Sequence, residues 1–346
     1  MDRPAVSRAQ DQLSRLVAYG IDDEDLLADL TADLAAVERA IVDAVRSADP
    51  LAAEAGSHLV RAGGKRTRPL LCMLASRLGV PGPQVTDAAV VVELTHLATL
   101  YHDDVIDSAT QRRGVPTAQE VWGNTVAILT GDLLFARAST IGAGLGPEAV
   151  HVQATTFERL VLGEMRETVG PAAGEDPVEH YLGVLSDKTG SLIATSARFG
   201  GMFSGADAAT LDVLVAYGEK VGVAFQLADD VLDLVGDRAD SGKTPGTDLR
   251  EHVPTMPVLL LRRHVAGGSA PPGSQELLHL LDSNLADDDR LTQAVERLRA
   301  HPVTAEAREV ALTWAAEAVA ALAPLPDGPA TRALTAVAGA LADRSR

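Results

Sequence analysis

Two long apolar stretches of this chain, 84–107 and 207–236, run into the same acidic cluster: Asp103-Asp104-Val105-Ile106-Asp107 and Asp229-Asp230-Val231-Leu232-Asp233. Apolar residues at three- and four-residue spacing predict helices. At 3.6 residues per turn, the first and last aspartate of each cluster then stand one above the other. Like charges stacked on a partly buried face are unfavourable unless something cationic compensates them. Carboxylate oxygens are the preferred ligands of Mg2+, which keeps several waters and is commonly completed by substrate phosphates. The pair of clusters therefore predicts two carboxylate walls facing one polyanionic substrate through bridging Mg2+ ions. A solvated acidic helix end, or pairing with nearby arginines, accounts for one cluster but poorly for two.

The rest of the chain reads helix after helix. Residues 24–47 place Leu26, Leu27, Leu30, Leu34, Val37, Ile41 and Val45 on one face. Further periodic stretches fall at 67–79, 117–142, 147–169, 177–200, 254–264, 274–283, 287–300, 302–322 and 328–344. Gly and Pro punctuate them at Gly79 to Pro83, Gly142 to Pro147, Gly170-Pro171 and Gly267 to Gly273. No alternating run reads as a strand, and no low-complexity linker divides the 346 residues. The expectation is one all-α domain over 24–346, after an N-terminal extension (1–23) that is helical or mobile. With 46% apolar and only 3% aromatic residues, the composition suits a large helical core.

The formal charge of −18 argues against nucleic acid as a partner, so an anionic substrate has to be met by locally concentrated Lys, Arg and metal. The single cysteine, Cys72, lies in the apolar run Pro69 to Leu74; it reads as an inert core thiol and fits a reducing cytoplasm. Met1-Asp2-Arg3-Pro4 lacks a signal-peptide pattern. No stretch reaches the ~18 uninterrupted apolar residues of a membrane span: 88–101 is broken by Glu93 and His96, and 209–236 by Asp212, Glu219 and Lys220. A soluble cytoplasmic protein is expected.

Basic groups interleave with the acids. Gly63-Gly64-Lys65-Arg66-Thr67-Arg68-Pro69 puts three cations and two glycines at a helix start, the arrangement of an anion site. Arg112-Arg113-Gly114 follows the first acidic cluster, Lys188-Thr189 lies mid-helix in an apolar context, and Gly242-Lys243 follows the second cluster. His96, Leu100, Asp103 and Asp107 share one helix face; Gly222, Gln226, Asp229, Asp230 and Asp233 form a stripe on another. Any one of these cations is ordinarily a solvated charge, and His96 alone could be a satisfied core histidine. Four cationic elements interleaved with two acidic clusters match the needs of two diphosphates.

In order and spacing, these segments resemble the trans-isoprenyl diphosphate synthases (polyprenyl synthetases) from about residue 30 to the C-terminus. The matching runs are Gly63 to Pro69, His102 to Gly114, Lys188-Thr189, Phe225 to Asp233, and Gly242-Lys243 with Gly246-Thr247-Asp248-Leu249. The resemblance implies an isoprenoid-synthase bundle of helices around a deep central cavity, usually a homodimer. It implies that Lys65, Arg68, His96 and Arg113 hold the diphosphate of isopentenyl diphosphate, and that Arg112, Lys188 and Lys243 hold an allylic diphosphate. Asp103, Asp104, Asp107, Asp229, Asp230 and Asp233 would coordinate Mg2+ directly or through water, three ions per site once diphosphate is bound. Thr189 and Gln226 would turn oxygen dipoles towards a developing carbocation. The implied reaction is repeated head-to-tail addition of isopentenyl diphosphate to a C10–C20 allylic primer. One departure stands out: many relatives have Gly-Lys where this chain has His252-Val253, so Lys243 or Arg250 would have to replace that cation.

Product length is read from the residues behind the first cluster. Thr99 and Ala98, four and five positions before Asp103, lie about 6 and 7.5 Å deeper along the helix. In the family a bulky aromatic there looks like a floor that stops the growing chain; these residues are small, and the next turn down offers Thr95 and Leu94. Tyr101 should point to the opposite side. The expected product is an all-trans polyprenyl diphosphate of six to ten isoprene units, C30–C50. A floor contributed by another helix, around Phe157, Leu162 or Met165, would instead give a short-chain C15 or C20 product. A class I terpene cyclase shares one aspartate motif but lacks the Gly63–Pro69 cluster; a degenerate partner subunit would have lost acids that are intact here, which leaves the catalytic subunit of a heteromeric synthase as a further alternative. Transient membrane contact for product release is a further expectation.

Overall fold

The computed structural model describes residues 13–235, 246–251 and 253–343. Residues 13–18 are helical. Then follow α1 (Glu24–Ala44), α2 (Pro50–Arg61), α3 (Thr67–Ser76), α4 (Gln84–Ile106), the strands β1 (Gln111–Arg112) and β2 (Val115–Pro116), α5 (Ala118–Trp122), α6 (Asn124–Leu145) and α7 (Pro147–Val169). The chain continues through α8 (Pro177–Leu185), a one-turn π-helix (Ser186–Gly190), α9 (Ser191–Phe203), α10 (Ala208–Val235), α11 (Thr247–Arg250), α12 (Met256–Ala266), α13 (Ser274–Leu281), α14 (Asp288–Arg299), α15 (Pro302–Ala321) and α16 (Pro329–Ala342). The expected all-α architecture is what forms; β1 and β2 pair only as a two-residue antiparallel hairpin.

Local chemistry explains the boundaries. Asp23, Asp49, Asp176 and Asp287 each cap a helix by accepting a hydrogen bond from a first-turn N–H, and Pro50 and Pro177 occupy the first position after two of them. The helix expected over 117–142 is interrupted at Gly123, whose φ of 82° suits glycine. That expected over 177–200 is interrupted by the π-turn at Ser186–Gly190. Helix α2 is not predicted from periodicity, because its buried stripe is narrow and largely of small residues: Ala55, Gly56, Leu59 and Val60. The extension, from residue 13 onward, is packed through Leu16 and Ile21, which are buried.

The chain forms two compact units: residues up to Leu160 with Ser191–Gly218 and Ala321–Val337, and Val161–Gly190 with Glu219–Ala320 and Ala338 onward. In the first unit α4 is the central helix, packed by α1, α3, α6 and α9. This is why it is apolar on nearly every side, from Val85 through Leu97 and Ala98 to Tyr101. Helix α9 approaches α3 so closely that a Cβ on Gly200 would lie 2.1 Å from the Cys72 carbonyl oxygen. Cys72 is the inert core thiol expected: it is fully buried, and burial raises its pKa. In the second unit Val223, Leu227, Val231 and Leu234 of α10 share a core with Leu249, Met256 to Leu261, and apolar residues of α8 and α13 to α15.

Helix α6 is, by length and composition alone, apolar enough to cross a membrane, although Asp132 and Arg137 interrupt its apolar run; a third of that stretch is buried. Its Gly131 packs on the His102 ring, while Ile128 and Leu129 are exposed.

Candidate active site

A cationic cluster is built in the first unit, around the start of α3 and the end of α4. Arg66 adopts left-handed backbone (φ 53°) and buries its guanidinium between Glu38 and Glu93. Nε and Nη2 donate to the two Glu38 carboxylate oxygens at 2.7 and 2.9 Å, and Nη1 donates to Glu93 at 2.8 Å. Arg66 is therefore the anchor of the loop, a role the motif alone did not distinguish from that of its neighbours. The available signal was Glu93, an acid inside an otherwise apolar helix. Arg15 also tethers the loop by donating to the Gly64 carbonyl at 2.7 Å.

With Arg66 so engaged, the loop presents Lys65, which is exposed, and Arg68. The Arg68 Nε is buried and has no hydrogen-bond partner among the described residues. Burial, with Arg113 adding to it, lowers Arg68 to about 10, so it remains charged at neutral pH. His96 is held neutral: burial and then Arg68, Arg113, Arg66 and Arg112 push its pKa well below the ordinary value. Arg113, at φ 54°, donates Nη1 to the Leu59 carbonyl at 3.1 Å and to the Gly63 carbonyl. Arg68, His96 and Arg113 thus converge. An unsatisfied buried guanidinium N–H beside another arginine and a neutral imidazole is a ready anion acceptor.

The first aspartate motif closes α4. Asp103 is half-buried, Asp104 fully buried, and Asp107, the C-terminal cap, exposed. Ser108 (φ 51°) turns the chain into the β-hairpin, which brings the Arg112 Nε back onto Asp104 Oδ1 at 2.5 Å. Three non-glycine residues in left-handed backbone around one cluster (Arg66, Ser108 and Arg113) are the kind of strain that collects at functional sites. Arg112, expected on the allylic diphosphate, therefore has one donor occupied by Asp104. Burial raises the pKa of Asp104 despite that partner, and its Oδ2 has no hydrogen-bond partner among the described residues.

The second aspartate motif lies in the second unit. On α10, Asp229 and Asp233 are half-buried and Asp230 is buried. Asp230 Oδ2 accepts from the Tyr181 hydroxyl at 2.6 Å and from the Met256 N–H at 3.3 Å. Arg299 donates twice to the Leu234 carbonyl, at 2.8 and 2.6 Å, closing the C-terminal end of the motif helix. A Cβ on Gly222 would lie 2.5 Å from the Gly190 Cα, so α10 touches the π-turn that bears Lys188 and buried Thr189. Single π-turns within helices are frequent at functional sites.

Two sequence expectations change here. Lys188 is not in an apolar context: its ammonium pairs with Glu164 at 2.7 Å and with Glu167, both on α7. Burial alone would lower its pKa, but the two glutamates raise it above the ordinary lysine value. Arg250, offered as a substitute for a missing cation, is paired with Asp288. Lys243 and His252 lie outside the described residues; Gln226 is half-buried on α10. Among the length candidates, Ala98 is buried and Thr99 donates its hydroxyl to the His96 carbonyl at 2.9 Å. Tyr101 donates to the Ala55 carbonyl of α2 at 2.6 Å. Leu162 and Met165, named as an alternative floor, are exposed on α7, while Phe157 stacks on Phe135 with ring centroids 4.0 Å apart.

Among the described residues no three His, Cys, Asp or Glu side chains form a ready-made metal cage. The donors offered by the motifs are all carboxylate oxygens, the chemistry of a hard cation. The orphan Oδ2 of buried Asp104 is an acceptor left for a cation or its water. Mg2+ bound through one or two carboxylates and completed by substrate phosphates fits such a donor set better than a closed cage would.

Comparison with known proteins agrees with the fold. The polyprenyl synthetase family model matches residues 49–298. Nonaprenyl diphosphate synthase of Mycobacterium tuberculosis is 46% identical over 326 residues, 93% of this chain and 96% of the relative. Geranylgeranyl pyrophosphate synthase of Corynebacterium glutamicum, solved with calcium and isoprenyl diphosphate, superposes with a TM-score of 0.82 at 40% identity, covering 94% and 98% of the two chains. A decaprenyl diphosphate synthase of Rhodobacter capsulatus gives 0.82 at 34% identity, covering 93% and 99%. The fold is that of the all-α isoprenoid synthases, and the enzyme class is the prenyltransferases. The chain belongs to the polyprenyl synthetase family.

Proposed function

We propose that this enzyme condenses isopentenyl diphosphate with a C10–C20 allylic diphosphate in repeated head-to-tail steps, giving an all-trans polyprenyl diphosphate of C30–C50. The observation that carries the reading is the convergence of Arg68, Arg113 and neutral His96, with a buried guanidinium N–H left unsatisfied, beside an aspartate motif. Residues 24–346 act as the catalytic domain.

Lys65, Arg68 and Arg113 hold the diphosphate of isopentenyl diphosphate, and neutral His96 donates one N–H to it. Arg112, Lys188 and Lys243 hold the allylic diphosphate; for Lys188 this means sharing its ammonium with Glu164 and Glu167. When bound, Mg2+ supplies charge neutralisation for the departing diphosphate, and Asp103, Asp107, Asp229 and Asp233 hold it, with Asp104 and Asp230 supporting. Lys188 and Arg112 stabilise the charge that builds as the allylic C–O bond breaks. Thr189 and Gln226 turn oxygen dipoles towards the allylic carbon. The isopentenyl double bond attacks that carbon to form the new C–C bond, the departed pyrophosphate takes up the proton lost as the new double bond forms, and the longer product serves again as the allylic partner. Orientation of the two substrates contributes much of the rate, because effective molarities reach about 10⁵ M or more.

The small residues Ala98 and Thr99 behind Asp103 support a medium- or long-chain product, as do the names of the nonaprenyl and decaprenyl synthases to which the chain is similar. The geranylgeranyl synthase likeness keeps C20 as the competing outcome. The enzyme acts in the cytoplasm as a homodimer, and the exposed apolar residues Ile128 and Leu129 of α6 support burial against a second copy. Incubation of labelled isopentenyl diphosphate with C10, C15 and C20 primers, with and without Mg2+, tests this. The expected result is Mg2+-dependent product of C30 or longer, shortened in Ala98→Phe. Hydrocarbon release from an allylic diphosphate alone would instead identify a cyclase.

A further inference from the structure

We infer that Tyr181 is a positioning residue for the second aspartate motif, its hydroxyl fixing the Asp230 carboxylate in the orientation that metal binding requires. The inference rests on the Mg2+ reading above. Tyr181 on α8 and Asp230 on α10 are 49 residues apart in sequence, yet the phenol donates to Asp230 Oδ2 at 2.6 Å with both side chains buried. The Met256 N–H, at the start of α12, donates to the same oxygen at 3.3 Å. Two donors from separate elements on one oxygen fix the carboxylate plane, since rotation about Cβ–Cγ would break both bonds. The direction of the other oxygen is fixed with it.

The choice of a phenol is informative. Asp104 of the first motif is held by Arg112, which orients it and also neutralises it. Among the described residues no Lys or Arg forms an ion pair with Asp230, although it is only 3% exposed. A neutral O–H orients a carboxylate without supplying a countercharge and so leaves that role to a bound cation, while burial raises the Asp230 pKa despite its two donors. A buried carboxylate without a cationic partner is costly, and a metal at the motif removes that cost. Partners that orient metal-binding carboxylates in this way affect metal affinity about 10–100-fold.

The test is calorimetric titration of pyrophosphate into the full-length protein at a series of Mg2+ concentrations. Wild type is compared with Tyr181→Phe and with Tyr217→Phe. Tyr217 is a matched control: another buried phenol, donating to the Leu334 carbonyl at 2.6 Å, but bonded to neither motif. Tyr181→Phe is expected to raise the Mg2+ concentration for half-maximal pyrophosphate binding about tenfold, whereas Tyr217→Phe leaves it at the wild-type value while lowering the melting temperature. A Tyr181→Phe titration matching wild type, or an equal shift in Tyr217→Phe, overturns the inference. Wild-type binding that is indifferent to Mg2+ would overturn the metal reading itself, a result distinct from a wild-type dependence that Tyr181→Phe leaves unchanged.

Discussion

His96 shows how one residue's surroundings set its chemistry. Enclosed by Arg68, Arg113, Arg66 and Arg112, its imidazole stays neutral in the folded protein. The folded pKa lies below the ordinary 6.5, so on acidification the unfolded chain takes up a proton first. The stability due to neutral His96 is complete above about pH 6.5 and is lost as pH falls below it, at up to about 1.4 kcal/mol per pH unit. His96→Gln should therefore lose less melting temperature than wild type between about pH 7 and pH 5, as read by calorimetric scans. The aspartates give a second prediction at this scale. Asp103→Ala and Asp229→Ala should each lower turnover about a hundredfold or more while leaving the circular dichroism spectrum unchanged, because neither carboxylate is part of the apolar core. Near-normal turnover in either purified variant would remove that residue from the metal site.

At the scale of elements, the loop before α3 and the end of α4 are fixed together by one buried ion network. The side chains of Arg66 and Glu93 are only 6% and 3% exposed. Arg66→Ala leaves two glutamates without their cation and should cost about 3–5 kcal/mol in denaturant unfolding. It should also weaken isopentenyl diphosphate binding, because Arg68 is displaced with the loop. The cations of the Gly63–Pro69 run are evident in sequence, but not the division of labour among them. Arg66 faces Glu38 and Glu93, 28 and 27 residues away, and that pairing exists only once α1 and α4 flank α3. The same limit applies to Lys188. Its helical periodicity is plain, yet the π-turn that re-aims it and the Glu164 and Glu167 that meet it depend on α7 and α8 packing together. Helix α2 escaped the sequence reading because its buried stripe is too narrow, and its residues too small, to register as a period.

For the molecule as a whole, α6 poses the main question. Its apolar length would pass for a membrane span, but small residues such as Gly131, Ala138 and Gly142 are buried, consistent with packing inside a helical unit. The exposed Leu129 should then lie against a second copy. Leu129→Glu is expected to shift sedimentation from dimer to monomer, and a dimer undisturbed by that charge would place the interface elsewhere. The net charge of −18 makes the cationic cluster a local exception. Added salt should therefore weaken diphosphate binding through screening of that cluster.

The sequence by itself determined the helical class, most helix boundaries, the two aspartate motifs and the cations that accompany them, because periodicity, capping residues and charge spacing are local properties. Only tertiary structure decided which charges serve the fold and which remain for ligands. Arg66 is bound by two glutamates, Lys188 shares its ammonium with two more, and Asp104 and Asp230 turn inward to different partners. Those assignments depend on which helix lies alongside, and the partners are distant in sequence. No spacing along the chain encodes them.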